Sequence, residues 1–309
     1  MTDSGVCEVK TKKIKLDEKE DGEKPTESLS EGKLMELPRK KFYRQRAHAN
    51  PLSDRDMFHP ATPETMNWSE FFGPSFTGDS SKVRNADIGC GYGGLLFKLS
   101  EIFPDEFSVG YEIRHKVSKY VQDKITALRH NEPGKWENIC CLRTNAMRFL
   151  SHFFQKGQLS RMFFLYPDPH FKKSKHKWRI ISIPLISEYA YLIKAGGILY
   201  TVTDVLQYHE WVLENFAATK LFEKISDEEL KDDPIFPFIF DSSEEGKKVT
   251  RNEGSKYHAV YRRTAIEPQF EPNFEKKDQD HDEGGEVESE RDTEEAELSS
   301  SDAKPTVDL

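Results

Sequence analysis

Short apolar runs alternate with longer amphipathic segments through the middle of this chain. The first strand is predicted to end with residues 86–88, and further strands are predicted at residues 107–111, 139–142, 162–165 and 198–202. An antiparallel pair is predicted at 221–225 and 257–262, separated by a polar loop. Helices are predicted at residues 95–103, 116–130, 180–192, with an interruption near Pro184, and 208–216. This alternation is typical of a doubly wound α/β domain with a mainly parallel, seven-stranded sheet.

The two ends of the chain differ from its middle in composition. Residues 1–37 and 267–309 are poor in aromatic and β-branched side chains, so we expect two disordered tails around one domain at residues 38–266. Residues 267–309 contain 16 acidic and 4 basic side chains, whereas the whole chain has a net charge of −9. Residues 1–266 are therefore net positive, which favours an acidic partner.

Several classes of protein are disfavoured. The four cysteines, Cys7, Cys90, Cys140 and Cys141, show no metal-ligand spacing and are few for a disulfide framework, so we expect no metal site and a reducing compartment. No apolar run reaches the roughly 20 residues of a membrane helix. Basic clusters at residues 10–15 and 38–41 predict a nuclear pool, with a cytoplasmic pool kept as an addition, although such runs also occur on solvated tails.

A glycine-rich turn at residues 87–94, Asp-Ile-Gly-Cys-Gly-Tyr-Gly-Gly, lies where a strand meets a helix. Gly89, Gly91 and Gly94 fit the dinucleotide fingerprint, whereas Gly89, Gly91 and Gly93 fit the shorter turn of enzymes that use S-adenosylmethionine. Glu112, at the end of the second strand, is placed to accept the ribose hydroxyls of either cofactor. Asp87 favours the second alternative, because a carboxylate suits a cationic sulfonium.

A second motif follows the fourth strand. Asp168 stands between two prolines, and cationic side chains run from His170 to Arg179. Because proline fixes its own φ and restricts the preceding residue, we expect Asp168 to be held rigidly. This cationic run and the basic residues from Arg39 to Arg46 are interpreted as a surface for RNA phosphate.

With these motifs in place, the chain resembles the catalytic subunit of the eukaryotic tRNA (guanine-N7)-methyltransferases over residues 38–265. The resemblance rests on residues 44–48, 87–94, 112–114, 145–147, 164–171, 176–179, 203–205 and 244–248. It implies a class I methyltransferase, Rossmann-like fold, S-adenosylmethionine as donor, and a guanosine in the variable loop of tRNA as acceptor. It also implies a heterodimer with a WD-repeat subunit.

The resemblance further implies roles for individual residues. Asp168 would be the catalytic residue. The predicted cofactor-binding residues are Gly89, Cys90, Gly91, Glu112, Ile113, Arg114, Asn145, Ala146, Leu165, Ser243 and Glu245. The predicted RNA-binding residues are Arg44, Arg46, His170, Lys172 and Lys173. Ser243 departs from the family's Thr-x-Glu pattern by one methyl group, and Asn145 could instead be a turn residue.

Guanine N7 already carries a lone pair, so Asp168 is expected to orient the base and to stabilise its developing charge rather than to remove a proton. Three alternatives are kept: a methyltransferase of proteins or small molecules, a non-catalytic RNA-binding subunit of the same fold, and, least favoured, a nicotinamide dehydrogenase.

Overall fold

Seven strands form one sheet in the computed structural model of the chain, which describes residues 34–46, 50–53 and 57–266. The strands are β1 (Val83–Ile88), β2 (Phe107–Tyr111), β3 (Ile139–Leu142), β4 (Leu159–Leu165), β5 (Ile193–Thr203), β6 (Phe222–Lys224) and β7 (Tyr257–Arg263). Their order is β3-β2-β1-β4-β5-β7-β6. The first five strands of this order, β3, β2, β1, β4 and β5, are parallel to one another, and β7 is antiparallel to β5 and β6. The predicted fold class is confirmed.

Six α-helices accompany the sheet within the described residues. They are α1 (Gly94–Ile102), α2 (His115–Asn131), α3 (Ala146–Phe149), α4 (Ile183–Leu192), α5 (Leu206–Ala217) and α6 (Glu244–Arg251). None of these helices is long and apolar enough to cross a membrane.

Strand β4 shows why both faces of the sheet are covered. Successive side chains of a strand point to opposite faces. Met162 and Phe164 belong to the core cluster that contains Tyr189 of α4, whereas Phe163 belongs to the cluster that contains Leu95 and other residues of α1. A strand that is buried on both faces reads as a continuous apolar run, which is how β4 was recognised in the sequence.

Two predictions about the helices are wrong. The helix predicted at residues 180–192 begins only at Ile183, and Pro184 lies in its first turn rather than interrupting it. Proline is tolerated there because the first N–H groups of a helix have no intrahelical partner. The predicted polar loop before β7 contains helix α6, which the sequence hid because only Gly246 and Val249 of its residues are buried.

The strand order reverses between β1 and β4. In doubly wound sheets the connections leave the two central strands on opposite faces and open a crevice at their carboxyl ends. The predicted motifs at residues 87–94 and 166–179 begin at the ends of these two strands.

The predicted tail at residues 267–309, the basic cluster at residues 10–15 and most of the predicted tail at residues 1–37 lie outside the described residues. Within residues 34–37, the backbone of Met35 is hydrogen-bonded in both directions to the side chain of Asn131, on α2. The domain limits at residues 38 and 266 stay a prediction.

Candidate functional site

A cavity of about 600 Å³ opens at the carboxyl ends of the parallel strands. Every predicted cofactor-binding residue lines it, as do Asp168 and His170. These residues are Gly89, Cys90, Gly91, Glu112, Ile113, Arg114, Asn145, Ala146, Leu165, Asp168, His170, Ser243 and Glu245. They are brought together because parallel strands end at one edge of the sheet, and because the start of α6 closes over that edge. Their roles toward a ligand remain predictions.

Three glycines of the turn have a left-handed backbone. Gly89, Gly91 and Gly93 have φ values of +76°, +55° and +76°, a region that side chains other than glycine rarely adopt. Gly94 has an ordinary φ, but a Cβ there would lie 1.7 Å from the carbonyl oxygen of Ser242. Gly94 is therefore needed for close packing against the segment before α6.

Glu112 is buried at the end of β2 and is held by Arg114. Its Oε1 accepts hydrogen bonds from the backbone N–H of Arg114 at 2.9 Å and from Nε at 3.1 Å, and its Oε2 accepts one from Nη2 at 2.8 Å. The side chains are 3% and 20% exposed, so the pair is shielded from solvent on the Glu112 side. Three bonds fix the carboxylate where a cofactor ribose is predicted to lie.

Asp87 stands on the same wall, directly before the turn, and is fully buried. Burial, with a smaller contribution from the Glu112 carboxylate, raises the pKa of Asp87 to about 7. A carboxyl group with such a pKa changes its charge near neutral pH, and a cation in the cavity would favour its ionised form.

Asn145 lies at the end of β3 and uses both ends of its side chain. The Oδ1 atom accepts a hydrogen bond from the backbone N–H of Met147 at 3.1 Å and so caps α3, while Nδ2 donates to the carbonyl oxygen of Pro51. The turn role that was considered for Asn145 is thus present, and the residue also lines the cavity. Pro51, which this bond brings over the cavity, was not predicted.

Ser243 and Glu245 reach the cavity from the first turn of α6. The Ser243 Oγ accepts a hydrogen bond from the N–H of Gly246 at 3.0 Å, which caps the helix. Glu245 pairs with Lys248 at 2.8 Å. Gly246 allows this helix to approach the site, because a Cβ there would lie 2.1 Å from the carbonyl oxygen of Phe240 and 3.0 Å from the ring of Tyr166.

The segment that carries Asp168 is fixed on both sides. Tyr166 and His170 have φ values of +53° and +44°, which are uncommon for residues other than glycine and are found at sites where the surroundings hold the chain. Tyr166 donates through its N–H to Val202 at 2.7 Å and through its hydroxyl to Phe240 at 2.8 Å. Asp168 itself is only partly buried and faces the cavity.

Arg179 does not belong to the cationic surface, and the prediction that included it is wrong. Its side chain is 2% exposed, its guanidinium lies 4.6 Å from the ring centroid of Trp211, and its Nε donates to the carbonyl oxygen of Pro169 at 2.8 Å. Arg179 therefore supports the backbone next to Asp168. Lys172 and Lys173 are exposed, as the prediction requires.

Arg44 and Arg46 are exposed and lie outside the cavity lining. Their segment is anchored on α2, because Tyr43 donates its hydroxyl hydrogen to Asp123 at 2.8 Å and Gln45 accepts a hydrogen bond from the N–H of Lys116 at 2.9 Å. Both arginines therefore project from a fixed segment.

The prediction missed several residues at the strand ends. Tyr111 and Thr144 line the cavity, and their buried hydroxyl oxygens form no hydrogen bond within the described residues. Asp204, at the end of β5, also lines it. Each follows or ends a recognised strand, so the rule that parallel strands present functional groups at their carboxyl ends would have found them.

The charge of the lining favours a cationic ligand. Six carboxylate residues line the cavity against two residues with a permanent positive charge: Asp87, Glu112, Asp168, Asp204, Glu244 and Glu245 against Arg114 and Lys248. A Cβ at Gly89 would project into open space, so this part of the backbone can be approached closely. In the described part of the chain, no group of three or more His, Cys, Asp or Glu side chains could hold a metal ion.

Comparison with known proteins shows similarity to methyltransferases. The model of a family described as putative methyltransferase matches residues 81–259. The tRNA (guanine-N(7)-)-methyltransferase of Brugia malayi is 57% identical over 230 residues, which cover 74% of this chain and 88% of that protein. The protein of the same name from Danio rerio is 53% identical over 231 residues, 74% of this chain and 96% of that protein.

Among solved structures, the 16S rRNA methyltransferase KamB aligns over 67% of this chain and 100% of that chain, with a TM-score of 0.43 and 13% identity. At that level of similarity, the alignment supports no conclusion about function.

Proposed function

Because the chain belongs to the family of tRNA (guanine-N(7)-)-methyltransferases, we propose that it transfers a methyl group from S-adenosylmethionine to N7 of a guanosine in the variable loop of tRNA. The observation that carries the proposal is that Asp168 and Glu112 line one cavity together with the glycine turn. One cavity can thus hold a methyl donor against a group that positions the acceptor base.

The chemistry of the cavity fits the donor. Glu112 would bind the ribose hydroxyls, and the residues after β3, Asn145 and Ala146, would lie along the adenine ring. Tyr111 and Thr144 offer buried hydroxyl groups with no protein partner among the described residues. When bound, S-adenosylmethionine supplies an electrophilic methyl group on a positively charged sulfur, and the acidic lining matches that charge.

The role of Asp168 follows from the acceptor atom. Guanine N7 has an in-plane lone pair and needs no base to become a nucleophile, so catalysis depends on aiming it. The Asp168 carboxylate accepts hydrogen bonds from N1–H and the exocyclic amine of the guanine, which turns N7 toward the donor. The base becomes positively charged as the new bond forms, and the same carboxylate stabilises that charge.

The rest of the substrate is held outside the cavity. The exposed cations Lys172 and Lys173 follow Asp168 directly, and Arg44 and Arg46 project from the segment fixed on α2. These residues, with His170, contact tRNA phosphates. A WD-repeat subunit forms a heterodimer with the chain and supports this binding, as the resemblance at residues 38–265 implies.

We propose that the complex works in the nucleus, with a second pool in the cytoplasm. The proposal rests on the basic clusters at residues 10–15 and 38–41. Lys40, in the second cluster, forms an ion pair with Glu244. The first cluster is therefore the better candidate for a nuclear localisation signal that an import receptor recognises. Imaging of a fluorescent fusion tests this, with the lysines of residues 10–15 changed to glutamine as the comparison.

The activity is tested with the full-length chain, purified tRNA and isotopically labelled S-adenosylmethionine, with and without the WD-repeat subunit. Labelled tRNA is then digested and the modified nucleotide is mapped. N7-methylguanosine in the variable loop is the expected product. Cofactor binding without product in either mixture would instead favour a non-catalytic RNA-binding subunit, and label on protein or on small molecules would favour another substrate.

A further inference from the structure

Two lysines pair with one carboxylate at the rim of the cavity, and a third lysine lies on a helix packed beside them. Glu244 forms ion pairs with Lys40, in a 3₁₀ turn near the start of the described chain, and with Lys247, at an Nζ to Oε1 distance of 3.5 Å. Lys124, on α2, directly follows Asp123, which accepts a hydrogen bond from Tyr43 at the end of the 3₁₀ turn that carries Lys40. The charges of Lys40, Lys247 and Glu244 all affect the pKa of Lys124. One negative charge therefore pairs with two positive ones, and a third positive charge lies on the neighbouring helix.

Lys124 is the least expected member of this group. Its Nζ lies 3.7 Å from the ring centroid of Phe97, and within the described part of the chain it forms no ion pair. Burial lowers the pKa of Lys124, and the ammonium groups of Lys40 and Lys247 lower it further, while Glu244 acts in the opposite direction. The ammonium group of Lys124 is half-buried among like charges, so its neighbours in the protein stabilise its positive charge only weakly.

The ion pairs to Glu244 are weak enough to be exchanged. The side chains of Lys40 and Glu244 are each 43% exposed, and that of Lys247 is 55% exposed. Exposed pairs of this kind contribute little to stability. A phosphodiester group carries a fixed negative charge and several acceptor oxygens, so it can bind the same ammonium groups through charge-assisted hydrogen bonds.

We propose that Lys40, Lys124 and Lys247 form a binding site for a backbone phosphate of the tRNA, which Glu244 covers when no RNA is bound. The inference rests on the proposed function, because it takes tRNA to be the ligand of the chain. The phosphate replaces Glu244 as the partner of the lysines.

Glu244 is part of the wall of the cofactor cavity, so its release from the lysines would affect that wall. Glu244 stands between Ser243 and Glu245, and all three residues line the cavity. Lys40 also lies 5.4 Å from the ring centroid of Tyr92, which follows Gly91 in the glycine turn and lines the cavity as well. A phosphate at this site therefore lies against the wall of the cofactor cavity, and tRNA binding releases one residue of that wall.

The test measures tRNA affinity of the full-length chain over a series of salt concentrations, for the variants Lys124→Gln and Lys247→Gln. The matched control is Lys194→Gln, which removes an exposed charge at the amino end of β5. This end of the strand lies away from the cavity, which opens at the carboxyl ends of the parallel strands. Each of the two site variants is expected to bind tRNA more weakly and to reduce the slope of log affinity against log salt by about 1. The control keeps the slope of the unaltered chain.

The variant Glu244→Gln supplies a result of opposite sign. If Glu244 competes with phosphate, its neutralisation raises tRNA affinity several-fold; if the lysines serve only to hold Glu244, tRNA affinity stays the same or falls. A further variant, Lys124→Met, keeps an apolar stem against Phe97 and separates loss of charge from loss of packing, and thermal melting is recorded for every variant.

The inference is overturned if Lys124→Gln, Lys124→Met and Lys247→Gln keep the affinity and slope of Lys194→Gln, or if Glu244→Gln fails to strengthen binding. Failure of the proposed function looks different, because the unaltered chain would then neither bind nor methylate tRNA with its partner present.

Discussion

The carboxylate of Glu112 accepts three hydrogen bonds from Arg114, one from the backbone and two from the guanidinium. Two carboxylate oxygens offer about four acceptor positions, so little capacity is left for a ribose diol. Arg114 therefore orients the Glu112 carboxylate. When the cofactor binds, its ribose must share that carboxylate with Arg114.

Glu112→Gln is expected to weaken S-adenosylmethionine binding about tenfold or more, because an amide keeps one acceptor oxygen and loses the charge-assisted pair. Calorimetric titration measures the affinity. The control Glu228→Gln removes a carboxylate that is 80% exposed and is expected to leave binding unchanged. Equal affinities for the two variants would remove Glu112 from the ribose site.

Asp87→Asn is expected to make the fold more stable at pH 8. The folded-state pKa of about 7 lies above the ordinary value of 3.8, so protonated Asp87 favours the folded state below pH 3.8 and this contribution is lost as the pH rises to 7. The shift corresponds to a few kcal/mol, on the order of 1.4 kcal/mol for each pH unit. Denaturant unfolding at pH 4 and pH 8 compares the variant with the unaltered chain.

The same residue makes cofactor binding depend on pH. A cationic ligand favours ionised Asp87, so S-adenosylmethionine affinity of the unaltered chain should fall as the pH drops below 7. Asp87→Asn should bind more weakly at pH 8 and should lose this part of the pH dependence. A pH profile that is identical for both proteins would mean that Asp87 does not face the bound cofactor.

Gly94→Ala is expected to destabilise the fold by about 2 kcal/mol or more, because its Cβ would lie 1.7 Å from the backbone oxygen of Ser242. Gly78→Ala is the matched control: its φ of +87° disfavours alanine, but the space around it is open, so about 1 kcal/mol is expected. Urea unfolding of both variants gives the two values. Equal losses would show that the segment before α6 moves away at little cost.

Asp168→Asn is expected to slow single-turnover methylation of saturating tRNA by about 100-fold, while S-adenosylmethionine affinity stays within twofold, roughly, of the unaltered chain. The amide accepts only one of the two guanine hydrogen bonds and does not balance the positive charge. Rapid-quench measurement of the methylated product gives the rate. A near-normal rate would rule out the charge role.

Lys172→Gln and Lys173→Gln are each expected to reduce the salt dependence of tRNA affinity by about 1 in the slope of log affinity against log salt. The control is Lys220→Gln, an exposed lysine between α5 and β6. Filter-binding titrations over several salt concentrations measure the slopes. Slopes that match the control would mean that these lysines are solvated and do not contact phosphate.

The local pattern of residues was enough to place the five parallel strands and the residues at their carboxyl ends. Glu112 and Asn145 were predicted from their positions after β2 and β3, and both line the cavity. These positions can be predicted because apolar runs and glycine turns act within a few residues, and because parallel strands of one sheet present their ends at the same edge. Helix α6 was missed because it is short and strongly polar, with only Gly246 and Val249 buried.

The tertiary structure decides which cations of one basic run are buried and which are exposed. Arg179 and Lys173 belong to one basic run in the sequence, yet Arg179 is buried beside Trp211 and Lys173 is exposed. Likewise, Lys40 is paired with Glu244, which lies on α6 far along the chain. By itself the sequence determined the fold class and placed the glycine turn and Asp168 at the ends of strands. Only the tertiary structure decided which charges face solvent, which face one another and why Gly94 cannot be larger, because these depend on contacts between segments that no local pattern records.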